Sequence, residues 1–342
     1  MIDLRSDTVT RPTPAMYAAM ATAPLGDDVL GDEPTVRKLE DSVAELLGFP
    51  SAMFVPSGTM SNQIALMVHT RPGDAALFEE EAHMVYYEAG APGALAGVVT
   101  LSYPSQGGIP DPAVVAGKLW QRTHHTPGVK FVAVENTHNR HGGAIIPPDI
   151  LQAHADQVRA AGAVCHLDGA RVWNAAAALD LHPRELTKMF DSVSVCFSKG
   201  LGAPVGSALL GSADFIDEAR YVRKRLGGGM RQSGLLAAAA LVALDDRDQL
   251  TEDHRRARTL AEALMGTPGL TPLTPTTNIV LVDTDAPAND WMDALATVGV
   301  GCVPFGSHRL RFVTHRDVDD QGLEVALGRI KEVAAQLAQR SE

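Results

Sequence analysis

Through the first 245 residues, short apolar runs alternate with longer stretches whose apolar positions recur at helical spacing. The runs Ala52–Val55, Ala75–Phe78, Val98–Leu101, Phe131–Val134, Ala163–Leu167, Ser192–Phe197 and Ser207–Leu210 predict strands. The spacing predicts helices over roughly 34–47, 60–69, 149–161 and 213–225. Strands that alternate with helices of this length predict an α/β fold, with a mainly parallel sheet and crossover helices. From about Asp246 the pattern changes. A charged helix over Glu252–Met265 leads into T-P-G-L-T-P. A strand at Asn278–Val282, a helix at 288–298, a strand at Arg309–Val313 and an amphipathic helix at 317–339 follow. This predicts a large domain over 1–245, entered by an extended arm at T-R-P-T-P, and a smaller α+β domain over 246–342.

A chain of 342 residues is long enough for two such units. Its composition, 45% hydrophobic and 20% charged, is that of a soluble globular protein. The net charge of −12 argues against nucleic acid or an anionic membrane as the main partner. Cys165, Cys196 and Cys302 are odd in number, and two lie in apolar runs, so a reducing cytoplasm is expected rather than a disulfide framework. No Cys/His spacing of metal-site type appears, so no metal is expected. The start M-I-D-L-R-S-D-T lacks the apolar stretch of a secretory leader, and the longest apolar run, Leu235–Leu244, is too short to span a bilayer. No G-x-G-x-x-G follows the first strand, which argues against a nucleotide-binding oxidoreductase.

Candidate chemistry collects at the ends of the predicted strands. Lys199 lies in S-V-S-V-C-F-S-K-G-L-G and Asp168 in A-V-C-H-L-D-G-A-R. An amine that forms a Schiff base, with a carboxylate for a protonated pyridine nitrogen, is the pair that pyridoxal 5'-phosphate chemistry requires. In V-P-S-G-T-M-S-N, Ser57, Gly58 and Thr59 fall where a strand turns into a helix, and free N–H groups there suit a phosphate. The plainer role for Ser57 or Thr59 is a helix cap. His83 follows a strand in F-E-E-E-A-H-M-V-Y-Y, where an imidazole can stack on a flat ring or move a proton, and Tyr86 and Tyr87 can wall a small pocket. Glu135, Asn136 and His138 end another strand, with Glu135 in a supporting part. Arg171 in D-G-A-R and Arg311 in R-L-R-F-V-T-H have the fork that matches a carboxylate, and Ser6 can add a hydrogen bond. The segment Y-V-R-K-R-L-G-G-G-M-R-Q-S-G is basic and glycine-rich in an acidic chain. Lys224 or Arg231 can reach an anion from there.

The motifs L-R-S-D-T-V-T-R-P, G-D-D-V-L-G-D-E-P-T, P-S-G-T-M-S-N, E-N-T-H-N, H-L-D-G-A-R, S-K-G-L-G-A-P-V-G-S and G-G-G-M-R-Q-S-G resemble the L-threonine aldolases, in order from residue 2 to about 240. The resemblance implies PLP fold type I, the aspartate aminotransferase-like architecture. It implies that Lys199 holds pyridoxal phosphate and that Asp168 pairs with its ring nitrogen. Gly58 and Thr59 would bind its phosphate with help from Lys224 of a partner subunit, and His83 would stack on its ring. Ser6, Arg171 and Arg311 would bind the substrate carboxylate, with Tyr87 near the β-carbon and Arg231 a weaker wall candidate. A second histidine is expected near the substrate hydroxyl. Spacing to Glu135 favours His125 over His124, so His83 and His125 both stand as candidate bases. A homotetramer built from dimers with shared sites is implied. So is reversible cleavage of L-threonine or L-allo-threonine to glycine and acetaldehyde. The competing readings are a β-eliminating lyase, a serine hydroxymethyltransferase-like enzyme, and a non-catalytic member of the fold, which would lack the lysine that Lys199 supplies.

Overall fold

The computed structural model describes residues 1–341. Seven strands form one sheet, in the spatial order Ser51–Val55, Ser207–Gly211, Ser192–Cys196, Val164–Gly169, Val129–Glu135, Ala75–Glu79 and Val99–Tyr103. Ser207–Gly211 is antiparallel to both its neighbours, and the remaining pairs are parallel. Each of the seven expected strands is present. The inner ones read as apolar runs because both their faces are covered: Ala75–Glu79, Ser192–Cys196 and Ser207–Gly211 are buried along their whole length, whereas the edge strand Val99–Tyr103 is mostly exposed.

Other elements differ from the sequence expectation. The T-R-P-T-P arm is extended only in part. Thr13 accepts a hydrogen bond from Met16 N and caps a helix, Pro14–Thr22, whose first residue is proline. The helix Gly234–Asp245 is nearly all Ala and Leu, so it has no polar face to betray a period. It packs between Pro14–Thr22 and Pro34–Leu47. A short hairpin, Ser105–Gln106 with Ile109–Pro110, was also unforeseen.

A second core forms around a four-stranded antiparallel sheet in the order Leu270–Pro272, Ile279–Thr284, Arg309–Val313 and Val303–Pro304. The helices Leu250–Leu264, Ala288–Thr297 and Asp320–Ser341 accompany it. The amino-terminal residues pack here too. Ile2–Asp3 pairs with Val300–Gly301, and Leu4 is buried among Val280, Phe312 and Ile330. The arm then crosses back: Thr10 Oγ1 donates to the Lys199 carbonyl (2.9 Å) and Arg11 N to Asp317 Oδ2 (2.9 Å). It thereby ties the small sheet to the segment that carries Lys199.

Candidate active site

Parallel strands place their carboxyl ends at one edge of a sheet, so the loops that leave them meet there. The register sets Glu135 beside Asp168 and Asp168 beside Ser194. An inner cavity of about 160 Å³ opens at this edge, lined by Gly58, Thr59, Asn62, His83, Asp168 and Lys199 among others. An outer cavity of about 370 Å³ adds Ser6, Tyr87, Phe305 and Arg311. The two share Thr8, His83, Asn139, Arg171 and Lys199, so they form one cleft.

The Asp168 carboxylate is held from both sides. Oδ1 accepts from Ala170 N (3.2 Å) and Oδ2 from Asn62 Nδ2 (2.8 Å). Asn62 Nδ2 also donates to Glu88 Oε1 (2.9 Å), so its carbonyl faces away and accepts from His166 Nε2 (3.2 Å). His166 Nδ1 then accepts from the Ser192 hydroxyl (2.8 Å), and Ser192 Oγ accepts from His69 Nε2 (3.1 Å). Burial keeps both imidazoles neutral, with His166 pushed down to about 3 and His69 to about 4. The result is a buried chain of donors that ends on Asp168.

His83 N donates to Glu135 Oε2 (2.7 Å), and His83 Nδ1 bonds Glu88 Oε1 (2.9 Å). Burial disfavours the imidazolium, but Glu88, Asp168 and Glu135 outweigh it and raise the His83 pKa. A carboxylate only accepts, so Nδ1 carries the hydrogen in the neutral ring and Nε2 presents a lone pair. Glu135 accepts from Asn139 N as well (2.9 Å), so its part is to hold two loops.

Arg171 is buried, and its fork grips Asp7: Nε to Oδ2 at 2.8 Å and Nη2 to Oδ1 at 2.7 Å. The carboxylate clamp expected of Arg171 is therefore largely taken by a carboxylate of the protein itself, which leaves Nη1, 3.4 Å from Asn139 Oδ1. Arg311 differs. It donates only to Asn139 Oδ1 (3.0 Å) and the Arg5 carbonyl (3.1 Å), and its Nε is buried without a partner. Burial, with Arg171 close by, pushes its pKa down to about 10, so this cation lacks a counterion. Ser6 and Tyr87 line the same outer cavity; Ser6 Oγ accepts from Thr8 N (3.2 Å), and the Tyr87 hydroxyl accepts from Arg140 (3.2 Å).

Ser57 caps the helix Gly58–His69 by accepting from Met60 N (3.2 Å). The first turn's remaining N–H groups, at Gly58 and Thr59, line the cavity. Thr137 Oγ1, also in the lining, is buried without a partner. An amine, a carboxylate, a helix start and an unsatisfied hydroxyl around one small cavity fit pyridoxal phosphate.

Four of the candidate residues lie away from this cleft. His124 and His125 sit on an exposed turn before the strand Val129–Glu135, whose seven residues span about 20 Å, so the strand's length separates them from the cleft. Lys224 is exposed at the end of the helix Ala213–Arg225, while Arg223 turns inward to Asp28 Oδ2 (2.7 Å) and the Phe54 carbonyl (2.7 Å). Arg231 is exposed and pairs with Asp27 (3.0 Å). Sequence reading missed Asp7, Asn62, Glu88, Asn139 and His166. Asp7, Asn62, Asn139 and His166 all stood in quoted motifs, and their polar types were the available signal.

Residues 3–287 match the beta-eliminating lyase family. A probable low-specificity L-threonine aldolase of Arabidopsis thaliana is 41% identical over 337 residues, 95% of each chain. The low specificity L-threonine aldolase of Escherichia coli (strain K12) is 40% identical over 95% of this chain and 97% of its own. A Leishmania major threonine aldolase structure has a TM-score of 0.84 at 22% identity, covering 97% of this chain and 99% of that one. A Sphingomonas wittichii serine palmitoyltransferase reaches 0.77 at 17% identity, over 97% and 87%. At such identities the likeness bears on fold alone, and the fold is PLP fold type I. By sequence, the chain belongs to the beta-eliminating lyase family and, within it, to the L-threonine aldolases.

Proposed function

We propose that this protein cleaves L-threonine and L-allo-threonine reversibly to glycine and acetaldehyde, with pyridoxal phosphate as cofactor. The observation that carries this reading is the cleft itself. Lys199 stands where the cavity of Asp168 meets the cavity of Arg311, so one end takes the cofactor and the other an amino acid carboxylate.

Lys199 would hold the cofactor carbonyl, Asp168 its ring nitrogen, and Gly58 and Thr59 its phosphate. Once bound, pyridoxal phosphate supplies an electron-withdrawing ring that takes up the electron pair of the breaking bond. The chain's own residues choose the bond. Arg311 and Ser6 hold the carboxylate, which fixes rotation about the substrate Cα and sets Cα–Cβ for cleavage. His83 Nε2, with its lone pair fixed by Glu88 at Nδ1, receives the β-hydroxyl proton directly or through water. Asp7 occupies Arg171, so Arg171 positions Asn139 and the cleft wall.

His125 and Lys224 lie on exposed surfaces away from their own cleft, so the roles the resemblance implies for them require a neighbouring subunit. A homotetramer of dimers with shared sites meets that need. The exposed Leu25, Val29, Leu30, Tyr221 and Leu235 offer apolar surface for such contacts. Cys165, Cys196 and Cys302 are free and buried, which suits a reducing cytoplasm, and no helix is long and apolar enough to cross a membrane among the described residues.

The test is acetaldehyde and glycine release from both threonine diastereomers by the wild type and by Lys199→Ala. Release by the wild type alone supports the aldolase reading. Formation of 2-oxobutyrate and ammonia without acetaldehyde would move the function to β-elimination.

A further inference from the structure

We propose that Glu79, His138 and His141, with Glu81 as a fourth ligand, bind a divalent cation of the zinc or cobalt class beside the cleft. Two parallel neighbours in the sheet bring the group together. Glu79 ends the strand Ala75–Glu79, and the two histidines lie on the loop after Val129–Glu135. One donor atom from each of Glu79, His138 and His141 lies within 4.8 Å of the others. His138 Nε2 is 2.8 Å from Glu79 Oε2, while His141 Nε2 is 3.3 Å from Glu81 Oε2 and 3.6 Å from Glu79 Oε1. Metal bonds of about 2.0–2.1 Å in a tetrahedron put donors about 3.3 Å apart, close to the two longer separations.

His141 Nε2 is the decisive atom. It is buried between two carboxylates and makes no hydrogen bond. With neutral imidazoles the two carboxylates carry two negative charges, of which Arg140 offsets only the one on Glu81, so the Glu79 charge is left for a cation. The surroundings resemble the outer shell of a metal site. Ser105 Oγ donates to Glu79 Oε1 (2.8 Å), Arg140 Nε to Glu81 Oε1 (2.8 Å) and Glu81 N to Glu79 Oε2 (2.7 Å). Gly108 roofs the group so closely that a Cβ there would stand 3.0 and 3.1 Å from the Cβ atoms of His138 and His141. The Glu79 and His138 side chains are 4% and 1% exposed, whereas those of His141 and Glu81 are 22% and 36% exposed, which leaves a path for the ion from solvent.

None of the four lines the cleft, so the cation is not a reactant. It pins the loop that carries Asn139, whose side chain touches both Arg171 and Arg311. The experiment is titration of chelator-treated holoenzyme with cobalt(II), followed by its visible d–d bands and by metal content. The expected result is one equivalent per chain with tetrahedral bands, retained in Lys199→Ala. His141→Gln and Glu81→Gln should each weaken binding by at least about tenfold. Absence of stoichiometric cobalt, or the same binding in His141→Gln, would overturn the proposal and leave a network of histidine–carboxylate pairs.

Discussion

The pairing of Asp7 with Arg171 joins the amino-terminal arm to the cleft, and its removal has a calculable consequence. Asp7 is 0% exposed and Arg171 5%, and two short hydrogen bonds connect them. Asp7→Ala removes both bonds, and with them the acceptor of Asn278 Nδ2 (3.2 Å). It leaves a guanidinium buried with only Asn139 as a hydrogen-bond partner. Breaking a buried pair by deleting one partner costs about 3–5 kcal/mol. Burial works to raise the Asp7 carboxyl, but Arg171 holds it well below the usual carboxylate range. A depressed folded-state pKa means the pair's stabilisation is complete above the unfolded value near ~3.9 and is lost as pH falls toward the folded one. Urea unfolding at pH 7, with protein and cofactor concentrations fixed, should therefore show a loss of about 3–5 kcal/mol for Asp7→Ala. The double variant Asp7→Leu/Arg171→Met should recover most of it, because an apolar pair of similar volume leaves no orphaned charge. A loss under about 1 kcal/mol, or a double variant as unstable as the sum of the single ones, would refute the reasoning.

Further outcomes follow from single contacts. Arg311→Ala should raise the KM for L-threonine about tenfold to a hundredfold, the worth of a charge-assisted hydrogen bond, with a smaller effect on kcat; steady-state kinetics checks this. Glu88→Gln removes the carboxylate that raises His83, and since the base must be unprotonated, the acid limb of kcat/KM should move to lower pH; an unmoved pH profile would exclude His83 as the base. Gly206 has φ +117°, and a Cβ there would meet the Phe54 ring at 2.4 Å, so Gly206→Ala should lose at least about 2 kcal/mol in urea unfolding.

The inner strands of the large sheet were legible because a doubly covered strand is largely apolar, and that signature is local; the edge strand Val99–Tyr103 is mostly exposed and was legible from its short run alone. Lys199, Asp168, His83 and Arg311 were legible because their chemistry is carried by residue type and by strand-end position. The Ala/Leu-rich helix Gly234–Asp245 was illegible as a helix face, since its exposed and buried sides are alike apolar and no period shows. The division of labour between the arginines was equally hidden. Arg171 and Arg311 have the same fork, and only the folded arm, which brings Asp7 across 164 positions, shows that one is paired and the other open. Asn62 and His166 became visible in the same way, as donors in a chain that ends on Asp168, and Glu88 as the acceptor that Asn62 and His83 share, between segments up to 106 residues apart. The sequence by itself determined the sheet, the cofactor chemistry and the family, because these rest on local pattern and residue type. The tertiary structure alone decided which charges are satisfied and which remain free for a ligand, because burial and pairing are properties of contacts between distant segments.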